Sequence, residues 1–499
     1  MNKFFTAFFV LQSIVCFSTK WNVGPSKTYT VPSAVRLLVA DGDSVYIDGA
    51  VYTNDAVKWP KKNLKFFGLG TVMVPTVLQY TGDIPNGKGI WVFETAGTCD
   101  NPYIENITFD GAQVSDANGG NGAGIRMQAF NLTVKNCIFK NCQNGILEGG
   151  SYTGSNVTIE NSEFFNNGYQ GTNVTFLGYE HNIYISAQTD TLLVRNCHFR
   201  NPRGEANSLK TRAQRSYILY NFIDEGTGNG SWELNLAQGG LIVVVGNVII
   251  QGNSGTNHGI ISLDAATNPI EELYFTNNTI INKYSGSGTT RFMHMVPASG
   301  VTVYKFYNNI FASVPGATNI YFSGTVPSVI DTARNKMSGN YNTFGFVNAA
   351  AGNYNLSSSA TAAINQGTLC GSTSTGYGLT PLSMYQSNTM ALSPRSVMGP
   401  AIDIGAYEFS PTGIENFASG NNLSVSQDLN SNTAIFNINE PQFTGGEIKI
   451  YSIFGQLLSV NEFNGNTYSW NYNSVASGVY IAVIRSENKV FSGRVVVAK

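Results

Sequence analysis

The sequence predicts an all-β chain: a long solenoid of stacked coils, a parallel β-helix, followed by a small antiparallel β-sandwich. Three observations lead there. One short phrase recurs from about residue 104 to 313, no helix-length apolar period separates most of its copies, and beyond about residue 425 the strands lengthen and alternate. The phrase reads IENITFDG, LTVKNCIFKN, VTIENSEFFNN, LLVRNCHFRN, YILYNFIDEG, VVVGNVIIQG, LYFTNNTIIN and YKFYNNIFAS.

The copies share Asn106, Asn136, Asn161, Asn196, Asn221, Asn247, Asn277 and Asn308, spaced 25 to 35 residues apart. Each copy alternates apolar and polar residues with period two, bends at the asparagine and resumes with a second short apolar pair. That is the pattern of two strands joined by a tight turn. Parallel strands that return without a helix require coils stacked one on the next. Asparagine suits the bend because it tolerates left-handed backbone and can bond to its equivalents in the coils above and below.

An open stack of strands needs its ends covered. At the start, Pro32 to Val39 forms a short amphipathic segment able to cap the first coil, ahead of a strand at Ser44 to Ile47. Toward the other end, FVNAAAGNYNLSSSATAAINQGT and AIDIGAYEFS are similar to the closing coils of bacterial right-handed parallel β-helix proteins. The resemblance implies a right-handed parallel β-helix over residues 28–410. PTGIENFASGNN then reads as a linker, 411–424, before the sandwich at 425–499. IKIYSIFGQLL, SGVYIAVI and the terminal RVVVAK resemble the type IX secretion sorting domain of Bacteroidota, which implies export across the outer membrane by the type IX machinery and loss of the domain on maturation. A carbohydrate-binding sandwich is the alternative for this stretch.

The N-terminus agrees with export. MNKFFTAFFVLQSIVCFSTK has Lys3, an apolar run from Phe4 to Phe17 and small residues after it, so residues 1–19 read as a signal peptide. The run is interrupted by Thr6, Gln12 and Ser13 and falls short of the roughly 20 residues of a membrane span. Cys16 raises a lipoprotein reading, but Ser13-Ile14-Val15 makes a poor lipobox. The other cysteines, Cys99, Cys137, Cys142, Cys197 and Cys370, match no zinc spacing and are expected as small buried hydrophobes, with one disulfide open to an exported protein.

Charge excludes one class of partner. Lys plus Arg is 29 against Asp plus Glu 31, without a basic run, so nucleic acid has no electrostatic footprint. Charged residues make up only 12% of the chain, about half the usual share. Against that background, Lys210 and Arg212 in ANSLKTRA stand out. With Leu209, Thr211 and Ala213 turned inward, both cations project outward together.

The same period-two reading of neighbouring coils places Asn182 and Tyr184 outward in HNIYIS, and Glu233 and Asn235 outward in SWELNLAQGG between inward Trp232, Leu234 and Leu236. Arg126 follows in GAGIRMQ and Glu148 in NGILEGG. One face thus gathers Arg126, Glu148, Asn182, Tyr184, Lys210, Arg212, Glu233 and Asn235. The plain alternative is a solvated surface with Glu233 paired to Lys210 or Arg212. A groove for an acidic polymer is the sharper reading, since it explains the clustering of cations and the aromatic ring of Tyr184.

β-Elimination on a uronate polymer needs a cation on the carboxylate, a base for the adjacent C–H proton and an acid for the departing oxygen. Lys210 and Arg212 supply the first two, the neighbouring cation making Lys210 a better base, and Tyr184 or His181 supplies the third. Glycoside hydrolysis would need two carboxyls about 5–9.5 Å apart. Glu233, Asp224, Glu225 and Asp264 are the candidates, whereas the paired aspartates, GHG and RIK segments of β-helical polygalacturonases are missing.

HNIYIS, SLKTRAQRSYILYNFID and LNLAQGGLIVVVGNVIIQG resemble a family of exported bacterial β-helix proteins related to polysaccharide lyases, in which HNIY and IKSRA recur. The matching positions are His181, Asn182, Tyr184, Lys210, Arg212, Asn221 and Gly240. Glu205-Ala206-Asn207 stands where the family pattern leads to a histidine. Calcium assists several lyases of this shape; no dense aspartate cluster lies beside Lys210, so no metal or other cofactor is expected. His198, after its turn, is expected to pack. The sequence therefore points to a secreted, monomeric lyase acting on an acidic polysaccharide, with a glycan-binding adhesin, a hydrolase and a C5-epimerase as alternatives.

Overall fold

The computed structural model describes residues 18–255, 259–296, 301–325, 327, 329–387, 389–409, 423–428, 431–452, 456–486 and 489–497. The leader expected at 1–19, with Cys16, and the linker at 411–424 lie almost wholly outside these residues. The chain divides between residues 409 and 410 into two compact units. Among the described residues no helix is long and apolar enough to cross a membrane.

The first unit is a parallel β-helix with three walls. Sheet 1 stacks twelve strands from Lys20–Val23 to Ile330–Ala333, sheet 2 eleven from Ala50–Thr53 to Lys336–Ser338, and sheet 3 ten from Val57–Lys58 to Thr318–Gly324. Ten coils contribute one strand to each wall, and in the repeating coils the step from sheet 1 to sheet 2 is the asparagine corner. Asn106, Asn136, Asn161, Asn196, Asn277 and Asn308 have left-handed φ between 52° and 59°. Their side chains link coils, with Asn196 Nδ2 donating to Asn161 Oδ1 at 2.7 Å and Asn308 Nδ2 to Asn277 Oδ1 at 3.2 Å.

Two copies are offset by one residue. Tyr220 and Gly246 take the left-handed position, at φ 55° and 69°. Asn221 and Asn247 instead occupy the inner corner with Asn278, Asn309 and Asn335, each backbone N–H donating to the next amide oxygen at 2.8–3.0 Å. Cys137 and Cys197 hold the same inner position in earlier coils. All five described cysteines are buried and free, and burial pushes the Cys137, Cys142 and Cys197 thiols up to about 12.

The bore is filled by side-chain stacks. Phe109, Phe139, Phe164 and Phe199 from consecutive strands of sheet 2 lie nearly parallel with centroids 4.8–5.0 Å apart. Gly124 and Gly145 of sheet 3 make room for them: a Cβ at either position would lie 2.9 Å from a phenylalanine ring. At the N-terminal end, Pro32–Val35 forms a short 3-10 helix, and Val35 and Val39 pack into the core next to the Ser44–Ile47 strand.

The segments expected as closing coils do something else. Residues 341–409 form antiparallel pairs, Phe346–Asn348 with Asn353–Leu356 and Ser383–Gln386 with Ala391–Pro394, laid over the outside of the solenoid. Phe344, Phe346, Tyr354, Tyr385 and Tyr407 pack on Val248, Ile250, Ile281 and Ile310 of sheet 2. Cys370 and Leu379 pack on Leu241, Val243 and Val245 of sheet 1. The cause is visible in those strands: Leu241–Val245 and Val248–Gln251 are buried throughout, so their outer faces require a cover as well as their inner ones. Arg395, fully buried, holds the segment together by donating to Glu408 Oε2 at 3.1 Å and to the carbonyls of Gly405 and Asp403. His198 is part of this seam, packed edge-on against Phe222 and Tyr385. Sheet 3 forms the remaining wall.

The second unit is antiparallel throughout its described strands. A three-stranded sheet of Leu423–Asp428, Thr433–Ile438 and Thr467–Asn471 and a four-stranded sheet of Gly445–Ser452, Leu457–Asn464, Gly478–Ser486 and Lys489–Val497 share one core around Phe436, Ile448, Trp470 and Ile484. It is a small β-sandwich.

Candidate active site

Strand pairing on sheet 3 fixes one outward row of side chains. Arg126 pairs with Leu147, Leu147 with Tyr184, Tyr184 with Lys210, Lys210 with Asn235, Asn235 with Ser262 and Ser262 with His294. Leu209, Thr211 and Ala213 are fully buried, whereas Lys210 and Arg212 stay half-buried on the outer side. The two cations and Tyr184 therefore share one face on adjoining rungs about 4.8 Å apart.

Arg212 donates from Nε to the Tyr184 hydroxyl oxygen at 3.1 Å. This bond places a cation where negative charge would develop on the phenol oxygen as it loses its proton. Arg215, three residues on, is paired with Asp190 at 2.5 Å. Lys210, Arg212 and Arg126 form no ion pair among the described residues. Burial, and then the charge of Arg212, lowers the Lys210 ammonium below its ordinary value, with Asp264 opposing. Exposed Asp264 also fixes the next rung, accepting from Asn235 Nδ2 at 2.8 Å and from Ser262 Oγ at 2.5 Å.

Toward lower coils, Arg126, Glu148, Tyr184, Phe176, Tyr179 and Ser186 line a groove of about 730 Å³. Tyr184 stands at its border, with Lys210 and Arg212 on the next rung. Two loops wall the groove. Tyr169 in one donates its hydroxyl to Asp116 in the other at 2.8 Å, and its ring stacks on Phe176. Phe176 and Tyr179 belong to loops with no strand periodicity, so period-two reasoning does not reach them.

Four residues expected on the outer face are buried; one of them, Asn235, is 3% exposed yet keeps its place in the outward row, tied to Asp264. Asn182 is fully enclosed and accepts from Asn167 Nδ2 at 2.8 Å. Glu233 is 2% exposed and accepts from Ser208 Oγ at 3.2 Å. In sheet 3 the row that holds Asn182 and Glu233 and the row after it both face the bore: Ile260 and Phe292, in the same row as Asn182 and Glu233, are core residues. Extrapolating strict alternation past this corner puts Asn182 and Glu233 outside and Trp232 inside, and all three expectations are reversed. Glu148 lies one residue beyond the outward row, which Leu147 occupies. It is 1% exposed and accepts from the backbone N–H and the hydroxyl of Ser186, both at 2.7 Å, and from the hydroxyl of Tyr152. Glu233 is thus not an outward partner for Lys210 or Arg212.

His181 has a place in a different row. Asn144 Oδ1 accepts from His181 N at 3.0 Å, His181 Nδ1 from Asn207 N at 3.2 Å, and Asn207 Oδ1 from Trp232 N at 3.2 Å. His181 thus takes an asparagine's position in a ladder, which sets Nδ1 as acceptor and leaves the proton on Nε2. Burial, reinforced by Lys210 and Arg212, lowers its pKa well below the usual histidine range. A neutral imidazole so held is a poor proton donor, and its ring, stacked against Tyr184 at 5.8 Å, positions the tyrosine. Asn207 fills the next place in that ladder. Beside His181, Glu180 is fully buried with both carboxylate oxygens unpartnered, and burial pushes it up to about 8.

Glu233 and Glu225 carry a prediction about stability. Burial, and then the proximity of Glu225, holds Glu233 well above the carboxylate range, while burial lifts Glu225 to about 7. Both keep a proton in the folded state that the unfolded chain releases near pH 4.5, so the folded state binds more protons and stability falls as pH rises from about 4.5 through 7. Glu233→Gln is expected to match the parent's Tm at pH 4 and exceed it by a few degrees at pH 8, at roughly 2–4 °C per kcal/mol. Parallel Tm-versus-pH curves for the two proteins in calorimetry would contradict this.

Comparison with known proteins gives three results. Residues 430–498 match the family model described as secretion system C-terminal sorting domain. The sorting tail expected at 425–499 is thereby supported, and it marks a secreted or cell-surface protein. No curated protein matches the chain. A tailspike protein gp49 from Acinetobacter baumannii bacteriophage Fri1, a capsular polysaccharide depolymerase, is similar over 96% of this chain and 78% of its own, at 8% identity and a TM-score of 0.31. A superposition that loose carries no weight for fold or activity.

Proposed function

We propose that the protein is a secreted polysaccharide lyase that cleaves a uronate-containing glycan by β-elimination. The observation that carries this reading is the Tyr184–Lys210 pair in register, with Arg212 bonded to the Tyr184 hydroxyl and both cations free of ion pairs among the described residues. The terminal nitrogens of Arg212 grip the uronate carboxylate, a bidentate arrangement that makes the adjacent C–H more acidic. Lys210, its ammonium destabilised by burial and by Arg212, takes that proton in its neutral form. The C–H electron pair becomes the ring double bond, the glycosidic C–O bond breaks, and Tyr184 gives its proton to the departing oxygen. Arg212 then faces the developing phenolate. Arg126 supplies a further cation along the chain of sugars, and a cationic face of this kind suits an anionic polymer more than a metal ion.

The test is a panel of alginate, pectin and glycosaminoglycans, followed by ultraviolet absorbance of the unsaturated uronate. Absorbance growing with cleavage supports the lyase; new reducing ends without it identify a hydrolase, and changed sugar configuration an epimerase. Retention without turnover identifies a glycan-binding protein, a second reading that the unpaired Arg126, Lys210 and Arg212 favour equally.

A further inference from the structure

Past Lys210, the outer side of sheet 3 carries a second group of side chains, with His294 in the outward row and Trp232 in register with Asn207. Trp232 is half-buried on the outer side, and its ring lies parallel to His294 within 6° at 5.9 Å. The strand between them carries Gly259, where a Cβ would lie 2.0 Å from Trp232 Cζ3. The missing side chain is what lets the indole reach across to the imidazole. His294 is held from the far side by Ser323 Oγ at 2.9 Å from Nδ1, so the aromatic pair is fixed in advance of any ligand. Arg291, on the His294 strand, is half-buried with no ion pair among the described residues, and its charge acts on His294.

We infer that Trp232 and His294 form a second sugar subsite, so that the glycan lies along the solenoid axis and is recognised over several residues. This rests on the reading of Lys210 and Arg212 as the uronate site. The chemistry is that of a pyranose, whose C–H face carries partial positive charge and settles against the electron-rich faces of aromatic rings, while exposed Asp264 between the two groups offers a polar partner for ring hydroxyls. Lys210 to His294 is three rungs, about 14 Å, the reach of an oligosaccharide and more than a single sugar. Arg291 sits at the far end, where another carboxylate of a uronate polymer would arrive.

Isothermal titration with size-graded oligosaccharides from alginate, pectin and glycosaminoglycans tests this on the full chain. The parent protein is expected to bind longer oligomers more tightly than the shortest. Trp232→Ala is expected to lose at least about 10-fold of affinity for the long oligomers, comparable to removal of one stacking ring, and nothing for the shortest; Trp232→Phe is expected to retain most of it. His294→Ala, on a half-exposed ring, gives an independent variant with the same expected loss. A chain-length dependence equal in the parent and both alanine variants overturns the subsite and leaves the uronate reading intact. A parent that binds none of these glycans at any length overturns both.

Discussion

Lys210→Ala is expected to lower kcat/KM for β-elimination by roughly 10²–10⁴-fold, with stability changed by no more than about 0.5 kcal/mol. The side chain projects from a half-buried outward position and forms no ion pair among the described residues, so its loss opens no cavity. Its neighbours define how the deficit should divide. Arg212→Lys keeps the charge but forfeits the fork and the Nε bond to Tyr184, so KM rises as kcat falls. Tyr184→Phe keeps the ring against His181 and loses only the hydroxyl, so kcat falls while KM stays near the parent value. Because the base acts unprotonated and burial lowers its pKa, activity should climb with pH at values below the ordinary lysine range. Full elimination activity in Lys210→Ala would end the assignment.

The largest structural effect is expected at Phe164. Its ring is stacked on both sides, 4.8 Å from Phe139 and 5.0 Å from Phe199, and it is fully buried. Phe164→Ala removes the ring from a stack that no flexible side chain can refill, at a cost of about 3–5 kcal/mol. A Tm several degrees lower should accompany it. Because each coil of a solenoid contacts mainly its neighbours, amide exchange should quicken most in the coils holding Phe139 and Phe199. A uniform change across all coils would show instead that the stack melts as one unit.

The two effects separate what could be read in the chain from what could not. The solenoid was legible because its instructions are local: an asparagine at the bend and apolar residues every second position serve each coil separately. Lys210, Arg212 and Tyr184 were legible for the same reason, being flanked by inward Leu209, Thr211, Ile183 and Ile185. Asn182, Glu233 and Trp232 were misplaced because the corner entering sheet 3 turns two successive residues inward, a bend with no residue type of its own. Glu148 was lost to a one-residue difference in register. The cover of residues 341–409 was announced by strands such as Leu241–Val245, apolar on both faces, but what covers them lies more than a hundred residues further on.

That cover sets an order of assembly. Thr276 Oγ1 bonds to the carbonyl of Leu379, and Ala406 N to Thr279 Oγ1, across 103 and 127 residues. None of these seats exists before the rungs beneath them have stacked, so the solenoid has to form first and the wrapping last. A chain ending near Ser338 would have its coils and its cationic face yet leave Val248, Ile250 and Ile281 open to water. Such a nascent intermediate would be adhesive along two of its flanks until residues 341–409 closed over them.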